Sequence, residues 1–308
     1  MKKCLSVFLA LIMLMSLSTV YASAKDTQQK GNYPFIMVHG LGGWGQYEEI
    51  TETYPYWGGG AGMTVSDGDI IGLLRENGYE AYAASVGPVS SAWDRACELY
   101  AQLTGTVVDY GKAHSEKCGH DRYGESFVGR PLMGKEWDEE SPLNLVGHSF
   151  GGPTARLFTS LMAFGDETEL EATGEETSPL FKGGKGKAVH SVVTLSGCHN
   201  GAPIADLIVN TVVPMYAIGL LVNSMAAFNI ESPMGSVKLG HFGLTPKNED
   251  DKVWLSPSKI AKFVKVRDNA GVDLTVGGSQ ELNEKIKMSP DTYYYSYYYF
   301  PSYYLIFF

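Results

Sequence analysis

Ser149 is the residue whose surroundings most clearly indicate chemistry. It stands in Gly147-His148-Ser149-Phe150-Gly151, a G-x-S-x-G pattern that follows the apolar run LNLV and precedes a helical pattern. In this strand–turn–helix context the pattern presents a serine nucleophile on a sharp turn. The flanking glycines allow the tight turn and keep side chains away from the hydroxyl. The sequence therefore predicts a serine that forms an acyl-enzyme.

A glycine-rich loop, VHGLGGWG at 38–45, supplies the second half of such a site. Acyl transfer develops negative charge on the carbonyl oxygen, and backbone N–H groups stabilise that charge. One N–H comes from the residue after the nucleophile, and the other comes from the loop of an early strand. We therefore predict that Phe150 and Leu41 form the oxyanion hole. We interpret His39 and His148, which flank these positions, as structural histidines.

Short apolar runs alternate with helical patterns along the chain. The runs lie at 33–40, 79–87, 143–149 and 188–197, and the helical patterns lie at 68–76, 91–109 and 153–163. Continuous apolar runs of this length are typical of strands that are covered on both faces. The alternation predicts an α/β, doubly wound architecture with a mostly parallel sheet.

The first residues have the pattern of a secretory signal peptide. Lys2 and Lys3 precede a short apolar run, and small residues at 22–24 offer a cleavage point. We expect residues 1–24 to be removed and residues 25–308 to form a secreted domain. The net charge of −10 becomes more negative without the two lysines, which argues against a nucleic-acid partner. Three cysteines remain, an odd number that argues against a disulfide framework.

Residues 207–230 contain no charged side chain. Their length admits a transmembrane helix, but Asn210, Pro214 and Asn223 within the run oppose that interpretation. Two alternatives stay open: a buried core helix, and an apolar lid at about 205–230 that covers a hydrophobic pocket. We favour the lid, and we expect no stable membrane span once the signal peptide is removed.

Several segments together resemble the secreted true lipases of thermoalkaliphilic bacilli and staphylococci. They are YPFIMVHGLGGWG, YWGGG, VGPVSSAWDRACELYAQLTGTVVDYGKAHSEKCGHDRYG, GHSFGGPTARL and DLTVGGSQELNEKIKMSPDTYYYS. The likeness runs from about residue 31 to about residue 292. It implies an α/β-hydrolase fold with a helical lid. It also implies hydrolysis of triacylglycerols and shorter esters at an oil–water interface.

The resemblance further implies a structural zinc held by two aspartates and two histidines. Three of these ligands are matched, by Asp94, His114 and His120. Where the fourth is expected, this chain has Gly240, which cannot coordinate a metal. A neutral imidazole or a thiolate also suits zinc, so we expect His241 or Cys118 to complete the site.

The catalytic base is the element that this sequence does not supply. In α/β-hydrolases an acidic residue and then a histidine follow the nucleophile, and the resemblance implies that both lie beyond the segment matching 292. After Ser149 the only histidines are His190, His199 and His241, and none lies in the matching context. We therefore expect a C-terminally truncated chain that lacks the catalytic Asp and His and is inactive as it stands.

The chain ends in an aromatic stretch, 293–308, that we interpret as an aberrant tail. A frame error or early stop would explain it, and a lipid-anchoring tail is the alternative. The function predicted is that of a secreted lipase or carboxylesterase. Two alternatives stay open: a non-catalytic lipid-binding protein on a degenerate hydrolase fold, and a related thioesterase or acyltransferase.

Overall fold

The computed structural model describes residues 33–52, 55–58, 68–209, 237–244, 258, 263 and 265–298. The predicted signal peptide, 1–24, lies outside these residues. The predicted lid, about 205–230, also lies outside them except for its first five positions. Within the described part of the chain, no helix combines the length and the apolar character needed to cross a membrane.

The described residues contain seven strands. Five of them form the main sheet: β1 (Phe35–Val38), β2 (Ala81–Ala84), β5 (Leu143–His148), β6 (Val189–Leu195) and β7 (Tyr293–Tyr297). Their order is β2-β1-β5-β6-β7, and every neighbouring pair is parallel. The other two, β3 (Val107–Asp109) and β4 (Tyr123–Ser126), form an antiparallel ribbon. The predicted mostly parallel sheet is therefore confirmed.

Nine α-helices accompany these strands in the described residues. They are α1 (Ile70–Glu76), α2 (Ala92–Thr104), α3 (Lys112–Cys118), α4 (Gly151–Phe164), α5 (Glu167–Thr173), α6 (Pro179–Lys182), α7 (Pro203–Val209), α8 (Ala270–Asp273) and α9 (Val276–Lys285). Single 3₁₀ turns lie at Glu49–Glu52, Gly174–Glu176, Gly186–Ala188 and Gly240–Phe242. The two longest helices, α2 and α4, pack against each other, and α4 also packs against β5 and β6.

Alternate residues of the central strands enter two different hydrophobic clusters. Ile36 and Val38 of β1 lie in the larger cluster, together with side chains of α2 and α4, whereas Met37 lies in a second cluster with Val146. Successive side chains of a strand point to opposite faces of a sheet, so both faces of this sheet are covered. This is the environment that the continuous apolar runs predicted.

One predicted helix boundary is wrong. The helical pattern at 91–109 ends earlier, because Gly105 takes a left-handed φ of 65° and its N–H caps the helix at the carbonyl of Ala101. Residues 107–109 form β3 instead. The aromatic stretch, 293–308, begins with a regular strand, β7, which pairs with β6. Tyrosine favours strands, so this part of the stretch is ordinary structure.

Glu98 of α2 is a buried carboxyl group beneath the segment that follows β2. The N–H of Gly87 donates a hydrogen bond to Glu98 Oε2, and the Tyr110 hydroxyl lies 3.1 Å from Oε1. Burial raises the pKa of Glu98 to about 8. The side chain therefore keeps its proton at neutral pH, and it binds the backbone as a neutral group.

The substitution Glu98→Gln tests this protonation state. The native protein holds the proton up to about pH 8, whereas the pKa of an ordinary glutamate is 4.5. Because the native state binds more protons in this interval, Glu98 makes the free energy of unfolding fall as pH rises, by up to about 1.4 kcal/mol per pH unit. We expect the variant to lose this slope and to exceed the wild type at pH 8. Urea unfolding of both proteins at pH 5.5 and pH 8 measures this change in the free energy of unfolding.

The exposed Glu76→Gln variant is the matched control, and its slope should equal that of the wild type. An unchanged slope in Glu98→Gln would show that Glu98 is ionised in the native protein.

Candidate functional site

Ser149 stands on a strained turn between β5 and α4. Its φ is 53°, in the left-handed region that residues with side chains disfavour. An added Cβ on Gly147 would lie 2.4 Å from the carbonyl oxygen of Gly151, and one on Gly151 would lie 2.1 Å from the carbonyl oxygen of Val38. Only glycine fits at either position, so the G-x-S-x-G pattern has a steric cause here.

The loop that carries Leu41 packs directly against this serine. An added Cβ on Gly40 would lie 2.8 Å from the Cβ of Ser149. The Gly40 carbonyl accepts hydrogen bonds from the N–H of Gly43 at 3.2 Å and from the Arg95 guanidinium at 3.4 Å. The C=O and N–H of a trans peptide point in opposite directions. The N–H of Leu41, which shares this peptide, therefore points away from those donors.

The peptide that carries the N–H of Phe150 is held in the same way. Its carbonyl belongs to Ser149 and accepts from the N–H of Gly152 at 3.0 Å and of Cys198 at 3.4 Å. The N–H of Ser149 itself donates to the Leu195 carbonyl at 2.9 Å. The end of β6 and the start of α4 therefore fix the backbone on both sides of the serine.

Among the described residues, the N–H groups of Leu41 and Phe150 have no hydrogen-bond acceptor. Phe150 is fully buried, and most backbone N–H groups that are removed from water have a partner, so its unpaired N–H is unusual; Leu41 is half-exposed. Donors of this kind are what a developing oxyanion requires. The Ser149 hydroxyl itself lies 3.7 Å from the thiol of Cys198.

The two histidines beside these groups are occupied by other partners. His39 is buried, and its ring nitrogens lie 2.8 Å from the Gly40 carbonyl and 3.0 Å from the Val86 carbonyl. Burial and the nearby Arg95 lower the pKa of His39 to about 3, so the ring is neutral and donates to one of the two. His148 Nδ1 lies 2.5 Å from the hydroxyl of Tyr56. Both arrangements are those of structural histidines.

The histidines that follow Ser149 are also engaged elsewhere. His199 Nδ1 accepts from Arg156 at 3.2 Å, and its Nε2 donates to the Thr194 hydroxyl at 3.1 Å. Burial and Arg156 lower the pKa of His199 to about 4. His190 packs between two tyrosine rings. Within the part of the chain that the structure describes, no histidine contacts the Ser149 hydroxyl.

A second cluster brings together three predicted metal ligands and one residue that the sequence analysis missed. The missed residue is Asp268, in the turn before α8. Its Oδ2 lies 3.1 Å from His114 Nε2 and 3.3 Å from His120 Nε2. Asp94 Oδ1 lies 3.3 Å from the same His114 nitrogen. Contacts of 3.1 to 3.3 Å therefore link two carboxylates and two imidazoles in one cluster.

The atoms of this cluster fit a divalent cation. Asp94 Oδ1 and His120 Nε2 are buried and have no hydrogen-bond partner, which is rare for buried polar atoms. Two atoms that share a tetrahedral zinc at about 2.0 Å lie roughly 3.3 Å from each other. The contacts of Asp94 with His114 and of Asp268 with His114 and His120, at 3.3, 3.1 and 3.3 Å, have this spacing. The pattern therefore differs from that of ordinary ion pairs.

The charges of the cluster also favour a cation. Burial lowers the pKa of His120, but the carboxylate of Asp268 raises it to about 10. The pKa of His114 is raised in the same way by Asp268 and Asp94, against the effect of burial. A cation bound here would replace protons on these rings, so binding would release protons.

Of the two residues that we expected as the fourth ligand, Cys118 belongs to the candidate metal-binding group, whereas His241 contacts Asp94. His241 Nε2 lies 3.0 Å from Asp94 Oδ2 and so orients that carboxylate. The Cys118 thiol lies 4.0 Å from Nδ1 of His114, whereas the ring presents Nε2 to the aspartates. Cys118 is nevertheless a candidate ligand. Four residues each offer one ligand atom within 4.8 Å of the other three: His114, Cys118, His120 and Asp268.

Comparisons with known proteins give the family. The family described as "Lipase-like, C-terminal domain" matches residues 31–303. A lipase of Staphylococcus epidermidis is 37% identical over 285 residues, and Lipase 1 of Staphylococcus aureus is 35% identical over 278 residues. Each match covers 89% of this chain but only 39% of the relative, so the chain spans much less than the full length of these lipases.

Solved structures agree with this assignment. The crystal structure of Staphylococcus hyicus lipase has a TM-score of 0.73 and 34% identity, covering 86% of this chain and 66% of that one. EstA from Clostridium botulinum has a TM-score of 0.67 and 37% identity, covering 86% and 59%. The parallel sheet and the strained serine turn are those of the α/β-hydrolase fold. This chain belongs to the lipase-like family whose model it matches over residues 31–303.

Proposed function

We propose that this chain carries the nucleophile and the oxyanion hole of a secreted lipase or carboxylesterase acting on triacylglycerol-type esters. The observation that carries the proposal is the pair of unpaired N–H groups, of Leu41 and Phe150, beside the strained Ser149. The lipase relatives support the substrate class. The signal-peptide pattern over 1–24 supports secretion.

In the proposed reaction the Ser149 oxygen attacks the ester carbonyl carbon. The carbonyl oxygen becomes negative and accepts from the two N–H groups, which bind it more strongly than the neutral ester oxygen. The alcohol then leaves, and water hydrolyses the acyl-enzyme. Attack by the serine and attack by the water both need a base, because a hydroxyl group and a water molecule are weak nucleophiles at neutral pH. The base takes the serine proton and gives it to the departing alcohol.

We propose that this chain lacks the catalytic histidine and aspartate and is inactive, or nearly so, as it stands. The contacts of His190, His199 and His241 support this, because each ring is engaged away from Ser149. The same contacts favour a second candidate function, a non-catalytic lipid-binding protein. Chemical rescue separates the two functions, because it supplies the base from solution.

Imidazole should restore ester hydrolysis by the purified chain. We expect the rate with 4-nitrophenyl butyrate to be about 10⁴-fold or more below that of S. hyicus lipase assayed alongside, because one triad member removed has effects of that size. The rate should then rise with imidazole concentration. The Ser149→Ala variant measures the reaction of imidazole with the ester alone.

The outcome that contradicts the catalytic proposal is an equal response to imidazole in the wild type and in Ser149→Ala. A family-like rate without imidazole would contradict the proposed lack of a base. Cys198→Ala, which removes the thiol beside Ser149, is the matched control and should keep the rescue.

We also propose that Asp94, His114, His120 and Asp268 hold a structural zinc. The two unpaired buried ligand atoms and the ligand-like spacing support this. The ion would tie the start of α2 to the residues at and just after α3 and to the turn before α8. Among the described residues, the Ser149 hydroxyl lies beside the Cys198 thiol and forms no hydrogen bond with this cluster.

Cobalt substitution identifies the ligands without any measurement of activity. We expect one cobalt per chain, with the visible bands of a four-coordinate ion and without a thiolate-to-cobalt charge-transfer band. Asp268→Ala should weaken binding by more than about 100-fold, beyond the 10–100-fold typical of an outer partner. Cys118→Ser should bind as tightly as the wild type. A charge-transfer band that disappears in Cys118→Ser would assign the thiol as a ligand.

A further inference from the structure

Two consecutive residues in the first turn of α2 face two different sites. Asp94 points into the metal cluster and Arg95 points to the loop after β1, and both are fully buried. We propose that Arg95 is a positioning residue for the oxyanion hole, and that through it the metal cluster controls the order of that hole. The proposal rests on the proposed function, because it assumes the roles given to Leu41 and Phe150.

The guanidinium of Arg95 binds the backbone immediately before Leu41. Its Nη2 donates to the carbonyl of His39, and its Nη1 donates to the carbonyls of Gly40 at 3.4 Å and Gly87 at 3.2 Å. The Gly40 carbonyl shares its peptide with the N–H of Leu41. Rotation of this peptide by half a turn would remove the donor and place a carbonyl oxygen in the hole. Arg95 opposes that rotation because it holds the carbonyls.

The same side chain also contacts the second half of the hole. Its Nε donates to the hydroxyl of Thr154 on α4 at 3.1 Å. Its guanidinium carbon lies 5.0 Å from the centre of the Phe150 ring. Arg95 therefore joins the loop of one donor to the residue that carries the other. A planar fork with several N–H groups can make these contacts together, and a lysine ammonium cannot.

Arg95 remains a cation in this setting. Burial lowers the pKa of Arg95 to about 10, which is still well above neutral pH. Among the described residues, no carboxylate forms an ion pair with it. Its charge is stabilised by carbonyl dipoles instead, and a hydrogen bond to a charged group contributes more than one between neutral groups. The backbone carbonyls at the hole are thus oriented by a buried charge.

The metal cluster fixes the turn from which Arg95 projects. The Trp93 ring stacks on the His114 ring, with centroids 4.9 Å apart and planes 16° apart. Asp94 is itself a proposed ligand, and its N–H donates to Ser91, the N-cap of α2, at 3.2 Å. Ser91 also hydrogen-bonds to Asp268. Burial raises the pKa of the Asp268 carboxyl, but the hydrogen bonds from His114, His120 and Ser91 outweigh this and hold the pKa well below its usual range.

An ion bound to Asp94 and Asp268 would therefore hold the first turn of α2 at two places: directly at Asp94, and at the N-cap Ser91 through Asp268. Without the ion, the two carboxylates are held by their ion pairs with the rings of His114 and His120, and we expect the turn to be held less firmly. Arg95 follows Asp94 directly, so loosening of this turn should loosen its hydrogen bonds to His39 and Gly40.

Hydrogen–deuterium exchange of the wild type and Arg95→Met, each with zinc and with a chelator, tests this coupling. In the wild type we expect chelation to raise exchange in residues 39–45 by about tenfold or more. In Arg95→Met we expect fast exchange there even with zinc bound, and little further change on chelation. Because coupling between two sites is reciprocal, zinc affinity, measured by competition with a coloured chelator, should be weaker in Arg95→Met by no more than about tenfold, and excess zinc keeps its site occupied.

Two further variants keep the test sharp. Arg95→Lys keeps the positive charge but not the planar guanidinium, and exchange at 39–45 should be fast in this variant too. If Arg95→Met fails to fold, Arg95→Lys is used in its place. Arg122→Met removes a guanidinium that pairs with Asp109 on the ribbon, and residues 39–45 should exchange as in the wild type.

Three results would overturn the proposal. They are slow exchange at 39–45 in zinc-bound Arg95→Met, no effect of chelation on the wild type, and failure of the wild type to bind zinc. None of these measurements involves an ester. If imidazole rescue fails while the coupling holds, only the proposed function falls.

Discussion

The direction of two peptide bonds is the constraint on which the rest of this structure depends. A serine on the turn between a strand of a parallel sheet and a helix can act as a nucleophile on an ester only if two N–H groups point to the place where an oxyanion would form. In this chain both peptides are held from the carbonyl side, the one before Leu41 and the one before Phe150. The carbonyls of these two peptides, those of Gly40 and Ser149, are hydrogen-bonded, and the N–H groups on the opposite side of each peptide have no acceptor among the described residues.

Much of the surrounding structure serves this orientation. The left-handed Ser149 is tolerated because Gly147 and Gly151 leave no side chain where backbone atoms approach within van der Waals distance. Arg95, beneath the loop, occupies the interior with a charge satisfied by backbone carbonyls. The metal cluster lies one residue away on the same helix turn. Elements distant in sequence are therefore connected within a few residues of α2.

The sequence predicted those parts of the molecule that follow from local patterns. The strands around Met37 and Leu145 were visible as apolar runs, and the serine turn was visible as G-x-S-x-G in its strand–turn–helix context. Asp268 was not visible, because it lies far along the chain from His114 and His120 and no local pattern marks it. Arg95 was missed for a related reason: an arginine in a helical pattern normally indicates a solvated face, and only the tertiary structure buries this one.

The central claim is that the N–H groups of Leu41 and Phe150 receive the oxyanion formed at Ser149. A crystal structure of the chain treated with a 4-nitrophenyl alkylphosphonate in the presence of imidazole tests it most directly. We predict a tetrahedral phosphonate on Ser149 Oγ, with one phosphonyl oxygen about 2.7–3.1 Å from both nitrogens. An adduct on another residue, or a phosphonyl oxygen that faces solvent away from these two nitrogens, would contradict the account.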